Sequence, residues 1–62
     1  MTAAVFARAV KDADYIRIRV NAPVVCWLPV EKDQALLWRD RIAEGIFVNF
    51  ETGKDGRWLW IG

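Results

Sequence analysis

Cys26 is the only thiol in the chain, and neither a histidine nor a serine accompanies it. A cysteine nucleophile acts as its thiolate, which at neutral pH needs a base or cation beside it. Cys26 is flanked instead by Val25 and Trp27, an apolar setting in which a thiol is inert. One thiol with scattered carboxylates does not make a tetrahedral metal site, and a single cysteine closes no internal disulfide. The acids fall mainly in expected turns and on a helix surface. Carboxylate-pair chemistry needs two of them facing each other across a cleft. Gly53 and Gly56 bracket a hairpin turn rather than a strand-to-helix phosphate loop, so the nucleotide-binding fingerprint is absent. These residues predict a protein that is not an enzyme and takes no cofactor or metal.

The chemistry that remains is that of contact. Tryptophan and arginine dominate interface hot spots, and Arg57, Trp58 and Trp60 lie within four residues of one another. Phe47, Leu59 and Ile61 add an apolar strip to the same hairpin. A second candidate surface carries Phe6, Arg8, Tyr15, Arg17 and Arg19. Cations interleaved with rings suit phosphate contact and base stacking, and equally an acidic protein surface. The plainer alternatives are that the tryptophans are core residues and that the arginines keep a strand face soluble.

Size and composition bound these readings. Sixty-two residues make one small domain. Such a domain has a thin core and gains from association. Hydrophobic residues are 55 % of the chain, against about 45–50 % in a typical globular protein. Four tryptophans and three phenylalanines are more ring than a thin core hides, so some apolar surface is expected to await a partner. The net charge of +1 argues against a nucleic-acid mimic and against a generic nucleic-acid binder, which carries a marked basic excess. Six of the nine cations are arginine, the residue suited to planar contacts. The longest uncharged run, 20–30, is interrupted by Asn21 and two prolines and is far shorter than the ~20 residues of a bilayer span. No signal-peptide pattern is visible. A cytoplasmic protein with no membrane partner is expected.

The elements that must position these residues can be read from periodicity. In 15–20, Ile16, Ile18 and Val20 alternate with Tyr15, Arg17 and Arg19, the pattern of a strand with one core face and one wet face. Asn21-Ala22-Pro23 bends the chain, and 24–28 continues as a short strand closed by Pro29. A helix is predicted over 31–44, with Glu31 and Asp33 in its first turn and Gly45 at its C′ cap. Ala35, Leu36, Trp38, Ile42 and Ala43 form its buried stripe, opposite Leu37, Asp40, Arg41 and Glu44, with Arg41 and Glu44 spaced to pair. The runs 46–52 and 57–61 form a hairpin around Gly53-Lys54-Asp55-Gly56.

The N-terminal segment reads in two ways. Five alanines between residues 3 and 13 favour a helix. The alternation of 5–10 against 15–20, across Lys11-Asp12-Ala13-Asp14, favours a hairpin at the cost of opposing Arg8 to Arg17. The pattern tips the choice to the hairpin. The fold expected is therefore α+β: a small antiparallel sheet of four to five strands with one helix on a face, in ββ-α-ββ order.

The C-terminal turn decides where the tryptophans go, because a one-residue slip turns every side chain over. A two-residue Asp55-Gly56 loop pairs Phe50 with Ile61 and puts Trp58 and Trp60 opposite Ile46, Val48, Phe50, Leu59 and Ile61. A three-residue loop with a bulge at Gly56 groups the tryptophans with Val48 and Phe50 instead. The leading expectation is a protein-binding module that blocks a partner surface. A phage or mobile-element inhibitor of host machinery, of the anti-CRISPR kind, is the form that size and economy favour. The alternatives are a small nucleic-acid-binding protein using Arg8, Arg17 and Arg19, and a homodimeric regulatory or antitoxin-like protein joined through its apolar hairpin.

Overall fold

A computed structural model describes residues 1–21, 23–42 and 45–62. It is an α+β fold in which a four-stranded sheet carries helical segments on one face. The chain runs α1 (Ala3–Asp12), β1 (Tyr15–Val20), β2 (Cys26–Pro29), α2 (Lys32–Ala35), a 3-10 turn (Leu36–Trp38), α3 (Arg39–Ile42), β3 (Val48–Gly53) and β4 (Gly56–Ile61). Strand order is β2-β1-β4-β3.

The N-terminal hairpin is not formed, and Ala3–Asp12 is helical. Thr2 caps it, its Oγ1 accepting from the Val5 N–H at 3.2 Å, which satisfies a donor that a first helical turn leaves unpaired. Phe6, Val10 and Ala13 then fall at i, i+4 and i+7, and all three are buried. At the far end the Lys32 ammonium donates to the Lys11 carbonyl at 2.7 Å, a favourable place for a cation. The helix also avoids opposing Arg8 to Arg17.

With α1 in place of a strand, the sheet is mixed rather than antiparallel. The two hairpins, β1–β2 and β3–β4, are antiparallel, and β1 and β4 join them side by side in parallel. Asp14 fixes that junction: its N–H donates to the Arg57 carbonyl at 2.9 Å, and its carboxylate accepts from the Arg57 N–H at 2.8 Å. Gly56 must be glycine here. Its φ is +135°, and a Cβ would lie 2.7 Å from an Asp14 carboxylate oxygen.

The core is one layer between helices and sheet, made of Phe6, Val10 and Ala13 from the N-terminal unit, Ala35 and Ile42 from the middle, and Ile16, Leu59 and Ile61 from the two central strands. The segment expected as one helix over 31–44 is helical from Lys32 to Ile42, with a 3-10 turn in the middle. Its stripe is as expected, with Ala35 and Ile42 buried and Leu36 and Trp38 packed against the core, while Leu37 is exposed. Gly45 takes φ +92°, and its N–H donates to the Ile42 carbonyl at 3.1 Å, as a C-terminal cap does. Ala43 and the Arg41–Glu44 pairing lie outside the described residues. The Arg41 guanidinium sits over the Trp38 ring, 5.2 Å from its centroid, within the reach of a cation–π contact.

Candidate functional site: the outer face of the sheet

The β3–β4 turn is a two-residue turn, but one position earlier than expected. Gly53 pairs with Gly56 across Lys54-Asp55, both of which keep negative φ while Gly56 takes the positive one. Phe50 therefore faces Leu59 rather than Ile61. A shift of two positions in the pairing preserves parity, so Trp58 and Trp60 lie on the face opposite Phe50, Leu59 and Ile61. No three-residue bulged loop forms.

The parallel β1–β4 pairing then sets Tyr15 beside Trp58 and Arg17 beside Trp60. On the other side of β1, Arg19 faces Trp27. The outer face thus brings together Tyr15, Arg17, Arg19, Trp27, Trp58 and Trp60. Tyr15, Arg17 and Arg19 of one candidate surface and Trp58 and Trp60 of the other therefore share one face.

The rings form a connected row. Tyr15 stacks on Trp58 with centroids 4.5 Å apart. Trp58 stacks on Trp60 at 5.4 Å and 10°. Trp27 meets Trp60 edge-on at 5.2 Å and 85°. The Arg17 guanidinium lies 5.1 Å from the Trp58 centroid, and its Nη1 donates to the Ile16 carbonyl at 3.2 Å. The Trp58 indole N–H donates to the Asp55 carboxylate at 3.1 Å, which ties the row to the turn. Such contacts add about 0.5–1.5 kcal/mol per aromatic pair beyond burial and hold the rings in fixed rotamers.

Not every expected site residue belongs to this face. Leu59 and Ile61 are fully buried, because they pair with Ile16 and Ile18 beneath the helices, so neither is an interface residue. Phe6 is fully buried as well. Arg8 is exposed on α1, on the helical side of the molecule and apart from Tyr15, Arg17 and Arg19. Both corrections follow from α1 being a helix. Arg57 is exposed but pairs with Thr52 at the turn end, with the parity of Leu59 rather than of the tryptophans. Phe47, just ahead of β3, is 61 % exposed.

Trp27 is the site residue that sequence reasoning missed. Its signal was present as the alternation of Val25 and Trp27 about Cys26, but the strand 24–28 read as an apolar run with no preferred face. Cys26 is half-buried on the opposite face from Trp27. Among the described residues no three His, Cys, Asp or Glu side chains converge, and no helix is long and apolar enough to cross a membrane. Comparison with protein-family models, with curated proteins and with solved structures finds no match.

Proposed function

We propose that the protein is a binding module that holds another protein against the outer face of its sheet, with Trp58 and Trp60 as anchors. The observation that carries this reading is the ring row Tyr15–Trp58–Trp60–Trp27, which the helices, packed on the opposite face, leave uncovered. Large rings held in fixed rotamers, with arginine beside them, make the central cluster of a protein interface. Preorganisation lowers the entropy that binding must offset.

Single-stranded nucleic acid fits this face less well. Base stacking needs an open ring face, and Trp58 has Tyr15 and Trp60 stacked on it. A base inserted between Trp58 and Trp60 needs about 6.8 Å between the rings, roughly twice the spacing of stacked bases, whereas they stand 5.4 Å apart. What the row offers outward is ring edges and arginine, which suit an apolar protein surface with acidic groups at its rim. A chain of this size with one such face suits a blocking role. An inhibitor that a phage or mobile element directs at host machinery such as a CRISPR effector is the form we favour, on size and economy.

Capture from an extract of the native host, followed by quantitative mass spectrometry, tests the reading. Proteins held by the wild type are expected to drop at least about tenfold with Trp58→Ala/Trp60→Ala, checked for folding by circular dichroism, and with Trp27→Ala, which spares the core. Retention unchanged by both variants, or ring-dependent retention that a nuclease removes, would overturn it.

A further inference from the structure

The two edges of the sheet differ. β2 is short and ends on Pro29, whereas β3 runs through Val48–Gly53 with no proline, lysine or bulge. Those are the devices that blunt an exposed edge, and from Asn49 to Gly53 every residue of β3 is exposed. The Gly62 N–H donates to the Phe47 carbonyl at 2.8 Å, so 47 and 62 are a hydrogen-bonded pair that extends the β3–β4 ladder by one residue. By antiparallel alternation 49/60, 51/58 and 53/56 are bonded pairs too, and 48/61, 50/59 and 52/57 are not. The backbone N–H and C=O groups of Val48, Phe50 and Thr52 therefore point away from β4, toward the open edge.

We propose that β3 pairs with β3 of a second copy, antiparallel about a two-fold axis at Phe50. Val48 of each chain then meets Thr52 of the other, and Phe50 meets Phe50. These pairs exchange the backbone hydrogen bonds that the free edge leaves open, and the strand is used from end to end.

The side chains select a second copy as the occupant. Phe47, 61 % exposed, falls opposite Gly53, where its ring lies over bare backbone. Glu51, the only charged residue in 46–53, falls opposite Asn49, whose amide donates to a carboxylate. Val48 and Thr52 make a β-branched pair, and the two Phe50 rings an aromatic one. Phe50, 40 % exposed, stands in an apolar groove with Met1, Val5 and Ala9, and the second Phe50 meets it from the edge side. Moving the axis by one residue loses the match. At Glu51 the two carboxylates oppose each other, a destabilising pair. At Asn49 the Phe47 ring meets Glu51, and Thr52 and Gly53 fall opposite 45–46, outside the strand. The product is one eight-stranded sheet with the helices of both copies on one face and both ring rows on the other. One strand pair lies at the low end of interface size, so a reversible equilibrium is expected.

Sedimentation velocity over a concentration series is expected to show that monomer–dimer equilibrium in the wild type. Thr52→Pro removes an N–H that only the second copy uses, so the pairing with β4 and the circular dichroism spectrum should be unchanged. Association is expected to weaken at least about tenfold, because two symmetry-related hydrogen bonds are lost. Asn49→Glu sets a second carboxylate against Glu51 and should weaken association as well. Asn49→Lys sets a cation there and should strengthen it, although each copy gains positive charge. A monomer at every concentration would overturn the proposal. So would a dimer that Thr52→Pro, or the pair of Asn49 variants, leaves unchanged. A wild-type monomer whose capture of a different protein is lost in Thr52→Pro would also overturn it, by giving the edge to that protein. Trp58→Ala and Trp60→Ala should leave the equilibrium intact while abolishing capture, so failure of one interface is distinguishable from failure of the other.

Discussion

Gly56 and Asp14 show how much of this fold hangs on single residues. Gly56 opens β4 with a positive φ, and the Asp14 carboxylate occupies the space its side chain would fill. Gly56→Ala therefore meets backbone strain and a clash together, and is expected to cost about 1–3 kcal/mol. Asp14→Ala removes one charge-assisted hydrogen bond from an exposed position and is expected to cost about 1 kcal/mol. Because the two residues touch, Gly56→Ala in the Asp14→Ala background should cost less than the sum. Urea unfolding of the double-mutant cycle checks this, and strict additivity would contradict it. Asp-Gly marked a turn in the sequence. That Gly56 would belong to the strand, braced by a residue 42 positions earlier, has no local signal.

At the scale of elements, β1 and the segment 32–42 were legible because their periodicities are clean: Ile16 and Ile18 against Arg17 and Arg19, and Ala35, Trp38 and Ile42 at helical spacing. The N-terminal segment was not. Val5, Ala7 and Ala9 alternate as a strand does, yet Phe6 and Val10 recur as a helix does, and in ten residues both periods fit. Thr2 was the deciding cue, together with the cation that the distant Lys32 brings to the helix end. Two predictions separate cap from core. Thr2→Ala should lower stability by about 1 kcal/mol, whereas Phe6→Ala should cost about 3–5 kcal/mol, near the whole stability of a domain this small. Thermal melts followed by circular dichroism should show a modest shift for the first and a chain largely unfolded for the second. An undisturbed melt for Phe6→Ala would contradict a core built on α1. With α1 helical, Arg8 lies off the basic face and β1 is free to pair in parallel with β4, a long-range choice that no local pattern encodes.

The whole molecule is a slab of 31 × 30 × 18 Å between its Cα extremes, with one core on one side of the sheet. Its accessible surface of 4542 Å² exceeds the roughly 4,100 Å² that a compact monomer of its mass would show, as expected when one sheet face has no second layer. The excess of rings was visible in composition. That they gather on one face depended on turn register and strand order, which is why the sequence offered two surfaces where there is one. The central claim is that this face meets a protein. Hydroxyl-radical footprinting of the captured complex tests it most directly. Tyr15, Trp27, Trp58 and Trp60 should become protected while Val5 and Leu37, on the helical side, stay reactive. Protection of Val5 and Leu37 with the four rings unchanged would contradict it.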